Sequence, residues 1–291
     1  MKVCIIGGSR FVGPYLVKLL TSHGHRVTVF NRGGQQSVYP EGVRFCEGDR
    51  NQGFWGVAGH FDVVIDMCAY TGAETARALD ELSFDHFIHM STAAAYQKTE
   101  IFPLTESSPI GVWPLWGDYN RGKVECERVL AESGMPSAII RPVYILGPRN
   151  YADREHFIYS RILSGQEIIL PGNGQALVQF VFAEEVAEAI ALIVENRIEG
   201  AFNIAGDDII TLEGLVVEMA KILGKKPKIQ FNPNADGEKF NEAEFPFANE
   251  NLVLSNERIK KLGASFVTLR GGLKDDFENY YRHVIATPEK F

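Results

Sequence analysis

The stretch that decides the fold is Val3-Cys4-Ile5-Ile6-Gly7-Gly8-Ser9-Arg10-Phe11-Val12-Gly13. A short apolar run leads into glycines, and apolar residues then recur at helical spacing up to Ser22. A strand that turns directly into a helix favours a bound diphosphate, because the first helix amides are unpaired and carry the positive end of the helix dipole. Gly7 permits the tight turn, and Gly13 permits close packing of helix on strand. We therefore expect residues 7–13 to hold the phosphates of a dinucleotide.

Short apolar runs alternate with segments of helical period throughout the first half of the chain. The predicted strands are residues 2–6, 26–30, 43–46, 62–67, 86–90 and 136–142, and the predicted helices are residues 11–22, 71–82 and 119–133. This alternation is typical of βαβ units. It predicts an α/β fold, a Rossmann-type doubly wound parallel sheet of about six strands.

The pattern loosens past residue 150, where prolines and glycines separate shorter elements. Residues 231–251 are polar and predict a long loop. We expect residues 1–150 to form the dinucleotide-binding domain, with a later segment at about 175–205 returning to it. Residues 151–291 are then mainly a smaller C-terminal substrate-binding lobe.

Composition narrows the classes of partner. The 291 residues are 45% hydrophobic and 23% charged, which is ordinary for a globular protein, and the formal net charge of -8 disfavours nucleic acid as a partner. The four cysteines are far apart and predict neither a metal site nor a disulfide framework. The apolar run after Met1-Lys2 is too short for a signal-peptide core, and no run is long enough for a membrane span. A cytoplasmic protein with no membrane partner is the expectation.

The choice of dinucleotide depends on the end of the second strand, where an acidic residue would bond the ribose 2′-hydroxyl and repel a 2′-phosphate. This chain has Asn31-Arg32 there, and Arg10 occupies the middle of the glycine turn, where most dinucleotide loops carry glycine. An amide and two guanidinium groups favour NADP, with NAD as the alternative.

Four further stretches resemble the extended short-chain dehydrogenase/reductases, also called the NAD-dependent epimerase/dehydratase family. They are Gly48-Asp49-Arg50, Ser91-Thr92-Ala93-Ala94-Ala95-Tyr96, Tyr119-Asn120-Arg121-Gly122-Lys123, and Arg141-Pro142-Val143-Tyr144-Ile145-Leu146-Gly147-Pro148-Arg149-Asn150. The resemblance implies that Thr92, Tyr119 and Lys123 are catalytic. The cofactor contacts expected from the glycine turn and the resemblance together are Gly7, Ser9, Arg10, Phe11, Val12, Gly13, Asn31, Arg32, Asp49, Arg50, Met67, Cys68, Ala69, Tyr119, Lys123, Pro142 and Tyr144.

Tyr119 and Lys123 lie four residues apart, so both side chains share one face of the predicted helix. A free tyrosine has a pKa of about 10, and a nearby ammonium with an oxidised nicotinamide would lower it into the working range. We hypothesise that Tyr119 exchanges a proton with a substrate hydroxyl or ketone. Lys123 would hold the nicotinamide ribose, and Thr92 would hydrogen-bond the reacting oxygen.

The substrate class is bounded by two departures from family patterns. Family dehydratases carry Asp-Glu directly after the catalytic threonine, whereas this chain has Ala93-Ala94, so epimerase and ketoreductase remain. The resemblance implies a sugar or nucleotide-sugar substrate. Many family members that act on nucleotide sugars carry an arginine where this chain has Val178, which weakens the nucleotide-sugar alternative. The arginines that could replace that contact, or could equally be solvated charges, are Arg149, Arg154, Arg161 and Arg270. Trp113 and Trp116 could stack on a sugar or pack in the core.

Two other functions stay open. The glycine turn, Asn31-Arg32 and the segment around Gln175 look most like the atypical branch that includes chloroplast stem-loop-binding proteins, which bind or cut RNA. The net charge and the intact Tyr119–Lys123 pair argue against that role. A cofactor-sensing regulator is the third possibility. The resemblance also implies a homodimer built on two helices from each subunit.

Overall fold

A computed structural model describes residues 1–34, 39–235 and 237–286. Its strands are β1 Lys2–Ile6, β2 Arg26–Asn31, β3 Arg44–Glu47, β4 His60–Asp66, β5 Ser83–Met90, β6 Ser137–Pro142, β7 Tyr144–Leu146, β8 Glu167–Pro171, β9 Leu177–Phe182, β10 Gly200–Ile204, β11 Ile209–Thr211 and β12 Lys228–Asn232. Its α-helices are α1 Val12–Ser22, α2 Gly72–Glu81, α3 Gly117–Ser133, α4 Glu155–Ser164, α5 Ala183–Asn196, α6 Leu212–Ile222, α7 Glu257–Lys260, α8 Leu269–Asp276 and α9 Arg282–Ala286.

Seven parallel strands form the central sheet in the order β10-β6-β5-β4-β1-β2-β3. The order reverses at the neighbouring strands β1 and β4, which makes a crevice at their carboxyl ends. The predicted Rossmann-type doubly wound sheet is confirmed. The sheet has one strand more than predicted, because the late strand β10 pairs with β6 at the edge.

The two faces of the sheet carry separate hydrophobic cores. Val3 and Ile5 face the core that contains α1 and α5, whereas Cys4 and Ile6 face the second core, which also contains Leu130 of α3. Successive side chains of a strand point to opposite faces, so a strand covered by helices on both faces is apolar throughout. This explains why the decisive first strand reads as an uninterrupted apolar run.

The strands outside the central sheet form two small sheets, β11-β9-β7 and β12-β8. Both lie in the half of the chain where the sequence pattern loosens. The described residues of the segment 231–251, predicted as a polar loop, have little regular structure beyond the end of β12 and a short 3₁₀ turn. Their burial was not predicted: Phe245 and Phe247 are at most 1% exposed and pack on each other. Among the described residues no helix combines the length and the apolar character that crossing a membrane requires.

Candidate active site

The glycine turn lies at the crevice between β1 and β4. Gly7 and Gly8 have φ angles of 99° and 76°, which residues with a side chain rarely adopt. A Cβ on Gly13 would lie 2.4 Å from the carbonyl carbon of Gly8, so only glycine lets α1 start directly against the turn. Phe11, the residue before α1, also has a positive φ of 51°. The local sequence therefore produces the close strand-to-helix approach that was expected of it.

A cavity of about 590 Å³ opens beyond this turn. Most of the predicted cofactor residues line it, and these are Gly7, Ser9, Arg10, Phe11, Val12, Asn31, Arg32, Asp49, Arg50, Met67 and Cys68. The remaining predicted residues are not part of its wall, and these are Gly13, Thr92, Ala69, Tyr119, Lys123, Pro142 and Tyr144. The structure thus brings four separate sequence regions, around residues 7–12, 31–32, 49–50 and 67–68, to one crevice, as the parallel sheet requires.

The end of β2 is tied to the glycine turn by Asn31. Its side-chain amide donates to the Gly7 carbonyl at 3.2 Å, and its side-chain oxygen accepts from the Gly33 amide at 2.9 Å. Arg10 and Arg32 are exposed on the cavity wall. Glu47 lies opposite Asn31 on β3, and a Cβ on Gly33 would lie 2.7 Å from its carboxyl carbon. An acidic group therefore adjoins the Asn31–Gly33 turn, which the sequence analysis did not anticipate.

Arg50, expected as a cofactor contact, is also part of a buried ion pair. It is 7% exposed, and its guanidinium donates to both carboxylate oxygens of Asp66 at 2.7 Å and to the Glu74 carbonyl at 2.9 Å. Burial alone would raise the pKa of Asp66, but the Arg50 guanidinium holds it below its usual value. Arg50 therefore joins the 48–51 loop to the end of β4 through a buried ion pair, in addition to lining the cavity.

The three predicted catalytic residues lie together beside the cavity. Tyr119 is 42% exposed as a residue, but burial of its hydroxyl raises the pKa of the phenol, and a hydrogen bond with the Thr92 side chain opposes that rise. Lys123 is 3% exposed, donates to the Met90 carbonyl at 2.7 Å, and places its ammonium 6.0 Å from the centre of the Tyr119 ring. Burial lowers the pKa of Lys123. In the chain alone the phenol pKa thus moves upwards, because desolvation outweighs its polar neighbours.

Asn120 fixes the orientation of α3 relative to the loop that carries Thr92. Its buried amide donates to the carbonyls of Ala94 at 2.7 Å and Gly111 at 2.8 Å, and its oxygen accepts from the Trp113 amide. Thr92 itself accepts from the Ala94 amide at 3.2 Å. Asn120, the residue directly after the tyrosine of the motif, therefore links the two segments that hold Thr92 and Tyr119.

A buried polar network supports the same loop from the far side. Glu127 of α3 accepts from Arg141 at 2.6 Å and 3.1 Å and from the Ser91 hydroxyl, and Arg141 also donates to the Tyr96 hydroxyl at 3.0 Å. Tyr96 in turn donates to Asn203 of β10 at 2.6 Å. The chain segments before and after Thr92 are thus both anchored to α3 and the edge of the central sheet.

Several predicted residues lie away from the cavity. Ala69 is fully buried, and Tyr144 packs against Phe247, with ring centres 5.0 Å apart, and against Trp116 at 6.1 Å. Of the two open roles for Trp113, the structure shows core packing, since this side chain is 0% exposed. The glycine turn and the family resemblance together predicted cofactor contacts for Ala69 and Tyr144, but the direction of each side chain depends on packing that the motifs do not encode.

Two residues that sequence reasoning missed lie on the cavity wall next to Tyr119. Tyr70 follows the end of β4, and its ring centre lies 6.2 Å from that of Tyr119. Tyr151, in the loop before α4, lies 6.0 Å from the ring of Phe11. Tyr70 stands directly after the predicted contacts Met67, Cys68 and Ala69, so its position in the chain was a usable signal.

The doubly wound sheet, with a glycine turn and a lined cavity at its switch point, defines a dinucleotide-binding domain of the Rossmann class. The chain belongs to the NAD dependent epimerase/dehydratase family, whose model matches residues 3–72 and 62–205. The family inferred from the motifs is confirmed, and with it the expected class of enzyme, the NAD(P)-dependent oxidoreductases and epimerases of the short-chain dehydrogenase/reductase type.

Individual relatives are similar over different parts of the chain. The chain is 30% identical over 281 residues to the chloroplast stem-loop binding protein of 41 kDa b of Arabidopsis thaliana, covering 89% of this chain and 73% of that one. It is 30% identical over 139 residues to the UDP-glucose 4-epimerase of Corynebacterium glutamicum, covering 38% of this chain and 40% of that one. The crystal structure of UDP-glucuronic acid 4-epimerase from Bacillus cereus in complex with NAD matches with a TM-score of 0.79 at 18% identity, covering 98% of this chain and all of that one. The last likeness shows a shared fold.

Proposed function

We propose that this chain is a dinucleotide-dependent ketoreductase or epimerase that acts on a sugar-like substrate through Thr92, Tyr119 and Lys123. The observation that carries the proposal is the Tyr119 phenol, whose pKa the neighbouring Thr92 side chain lowers, lying 6.0 Å (ring centre) from the buried ammonium of Lys123 and next to a cavity that begins at the glycine turn. A proton donor, a second hydrogen-bond donor and a fixed cation are the groups that carbonyl reduction or alcohol oxidation needs from the protein.

The cavity residues fit a dinucleotide. The volume of about 590 Å³ is ordinary for a ligand site, and the first amides of α1 adjoin it. A Cβ on Gly7 would reach within 3.4 Å of the Cys68 sulfur and fill space in the crevice. A bound nicotinamide would supply or accept a hydride. The Lys123 ammonium would hold the adjoining ribose hydroxyls.

In the reductive direction, the Tyr119 hydroxyl donates its proton to the substrate oxygen, and the Thr92 hydroxyl hydrogen-bonds the same oxygen. In the oxidative direction, the Tyr119 phenolate accepts the proton of the substrate hydroxyl. The Arg154 guanidinium lowers the pKa of the phenol and so favours the phenolate form, and the Lys123 ammonium lies 6.0 Å from the centre of the ring. Without a bound dinucleotide the pKa of the Tyr119 phenol is raised, so the phenol is protonated at neutral pH. The protonated form is the one that reduction requires.

For the dinucleotide, we propose a preference for NADP over NAD. The exposed guanidinium groups of Arg10 and Arg32 support it, because both line the cavity near the end of β2. Glu47 adjoins the same turn and limits the preference by repelling a 2′-phosphate. The net preference is therefore modest.

For the substrate, we propose a sugar-like compound without a nucleotide diphosphate. Val178, which stands where many nucleotide-sugar enzymes carry an arginine, is 0% exposed and bridges to Leu252. Neighbouring Phe180 packs on Phe247 with ring centres 5.1 Å apart. A buried apolar position surrounded by aromatic rings offers no charge to a pyrophosphate.

Replacing Tyr119 with Phe tests the proposal. The variant keeps the ring and removes the proton, so NADPH affinity measured by fluorescence titration stays the same, while the rate of ketone reduction falls about a hundredfold or more. Cyclohexanone and a UDP-sugar are the probes, and only the former is expected to be turned over. A Tyr119→Phe variant that reduces cyclohexanone at the parental rate refutes the assignment, as does failure of both NADPH and NADH to bind at millimolar concentration.

A second candidate function is RNA binding, which the similarity to the chloroplast stem-loop binding protein over 89% of the chain favours. The net charge of -8 opposes it. This alternative is supported if the chain binds an RNA hairpin with an affinity that falls steeply as the salt concentration is raised. The Tyr119→Phe variant should then bind the hairpin as tightly as the parent. Absence of hairpin binding at low salt removes it.

The remaining sequence-based expectations extend the proposal. Residues 1–150 and the segment at about 175–205 would carry the dinucleotide, and residues 151–291 would mainly carry the substrate. We also propose a cytoplasmic homodimer through α2 and α3, which pack against each other in one subunit. Sedimentation of the purified chain tests the assembly directly.

A further inference from the structure

The open end of the cavity is lined by exposed aromatic side chains. Tyr70 and Tyr151 both lie on its wall, where they are 50% and 73% exposed. Tyr119 lies next to them, with its ring centre 6.2 Å from that of Tyr70. Exposed aromatic rings gathered at a cavity mouth are typical of ligand sites, because the rings gain contacts only when something is bound.

Tyr70 is held in this position by its backbone. Its amide donates to the Glu74 carboxylate at 2.7 Å. Its carbonyl touches α3 where Gly122 leaves room, since a Cβ on Gly122 would lie 1.9 Å from that oxygen. The Lys123 ammonium lies 5.0 Å from the centre of the Tyr70 ring, a cation–π distance. These contacts hold the Tyr70 backbone and ring in place on the cavity wall.

Tyr151 belongs to a different part of the chain, the loop that precedes α4. Its ring meets the edge of Phe11 at an angle of 84°, which ties the loop to the glycine turn. Burial raises the pKa of Tyr70 to about 12, and the nearby Tyr151 and Tyr119 phenols add to that rise. All three phenols thus lie within electrostatic reach of one another.

We propose that Tyr70 and Tyr151 are substrate-specificity residues that form, with Tyr119, an aromatic slot which accepts a ring-shaped substrate and disfavours an open-chain one. The inference rests on the proposed function and deepens it by naming the substrate class. A cyclic sugar or cyclic ketone presents a broad face of C–H groups that packs on tyrosine rings, whereas an open chain of equal carbon number is flexible and loses more conformational freedom on binding. The carbonyl of the bound ring would reach the Tyr119 hydroxyl.

The test uses two ketones of six carbons, cyclohexanone and 2-hexanone, with the dinucleotide-saturated protein. Added NADPH would supply the hydride for the carbonyl carbon, and Tyr119 would give its proton to the oxygen, so that the products are the alcohol and NADP⁺. The parent is expected to favour cyclohexanone in kcat/KM. Tyr70→Ala and Tyr151→Ala each lower kcat/KM for cyclohexanone by about threefold to tenfold, the loss of one ring contact, with little change for 2-hexanone.

Three controls separate stacking from other causes. Tyr70→Phe keeps the ring and is expected to retain the parental ratio of the two ketones. Phe231→Ala removes another exposed ring, on β12 outside the cavity wall, and leaves the ratio unchanged. Thermal unfolding and NADPH affinity of each variant show whether a loss belongs to the substrate step.

Binding of the product alcohols makes the slot testable apart from turnover. Cyclohexanol and 2-hexanol are titrated against the NADP⁺-saturated protein by calorimetry. If neither ketone is reduced, the proposed reaction fails, while tighter binding of cyclohexanol that Tyr70→Ala abolishes still supports the slot. Equal binding of the two alcohols, an unchanged preference in Tyr70→Ala, or the same loss in Tyr70→Phe as in Tyr70→Ala overturns it.

Discussion

The contact between Gly122 and Tyr70 allows a sharp test of how the site is assembled. An alanine at position 122 would place its Cβ 1.9 Å from the Tyr70 carbonyl oxygen and 3.1 Å from the carbonyl carbon. A carbon and an oxygen pack no closer than about 3.3 Å, so the loop at residues 70–71 has to retreat from α3 by about 1.4 Å. This displacement separates Tyr70 from Tyr119 and from the Lys123 ammonium.

The magnitude follows from two opposing contributions. Overpacking costs about 1–3 kcal/mol, whereas replacing glycine by alanine within a helix contributes about 1 kcal/mol of stability. We expect a net loss of up to about 2 kcal/mol, which lowers the melting temperature by up to about 3 °C for a chain of this size. A displacement of about 1 Å in the site is expected to reduce cyclohexanone turnover by about a hundredfold.

Urea and thermal unfolding measure the stability change, and NADPH-dependent reduction of cyclohexanone measures the turnover. Arg128→Ala is the matched control, because Arg128 lies on the same helix with an exposed side chain that contacts only Glu132 among its described partners. Its melting temperature and rate should match those of the parent. Parental stability and parental turnover in Gly122→Ala would show that the close approach of the loop to α3 does not govern the site.

Three further predictions concern charged groups. Asp66→Asn leaves the 7% exposed Arg50 without its carboxylate and should lower the free energy of unfolding by about 3–5 kcal/mol in urea titrations, whereas a loss below about 1 kcal/mol would contradict the buried ion pair. Burial raises the pKa of Glu155 from 4.5 to about 7, so between these pH values the folded chain binds a proton that the unfolded chain does not, and the free energy of unfolding falls as the pH rises. Glu155→Gln should remove up to about 3 kcal/mol of that fall. Free energies of unfolding that have the same pH dependence in both proteins would contradict the prediction. Glu47→Gln removes the exposed acidic group beside Asn31 and should raise the ratio of NADPH to NADH affinity by about twofold to fivefold in fluorescence titrations. An unchanged ratio would show that Glu47 does not repel the 2′-phosphate.

The local elements of the first half follow closely from the sequence. The predicted strand at residues 2–6 is observed as Lys2–Ile6, and the predicted helix at residues 119–133 as Gly117–Ser133. These elements are legible because a buried parallel strand is apolar throughout, and a helix repeats its apolar face every three or four residues. The seventh strand, Gly200–Ile204, escaped the count because it pairs with β6 from a distant part of the chain.

The candidate site was predictable in part. The motif spacing put Tyr119 and Lys123 on one helical face, and the structure brings Thr92 to the same place. The aromatic neighbours Tyr70 and Tyr151 were not predicted, because the family motifs do not include them. Tyr70 lies beside Tyr119, and Tyr151 contacts Phe11 of the glycine turn, so both positions result from the packing of separate loops around α3 and the glycine turn.

The sequence alone determined the alternation of strands and helices and the glycine positions at which β1 can turn into α1. Both are local properties, set by side-chain period and by backbone angles that only glycine tolerates readily. The tertiary structure decided which distant side chains meet: Arg50 with Asp66 and Tyr70 with Lys123 at the crevice, and Phe247 with Tyr144 away from it. Such contacts join segments that are distant along the chain, so they depend on how whole elements pack and on how burial shifts the pKa of ionisable side chains.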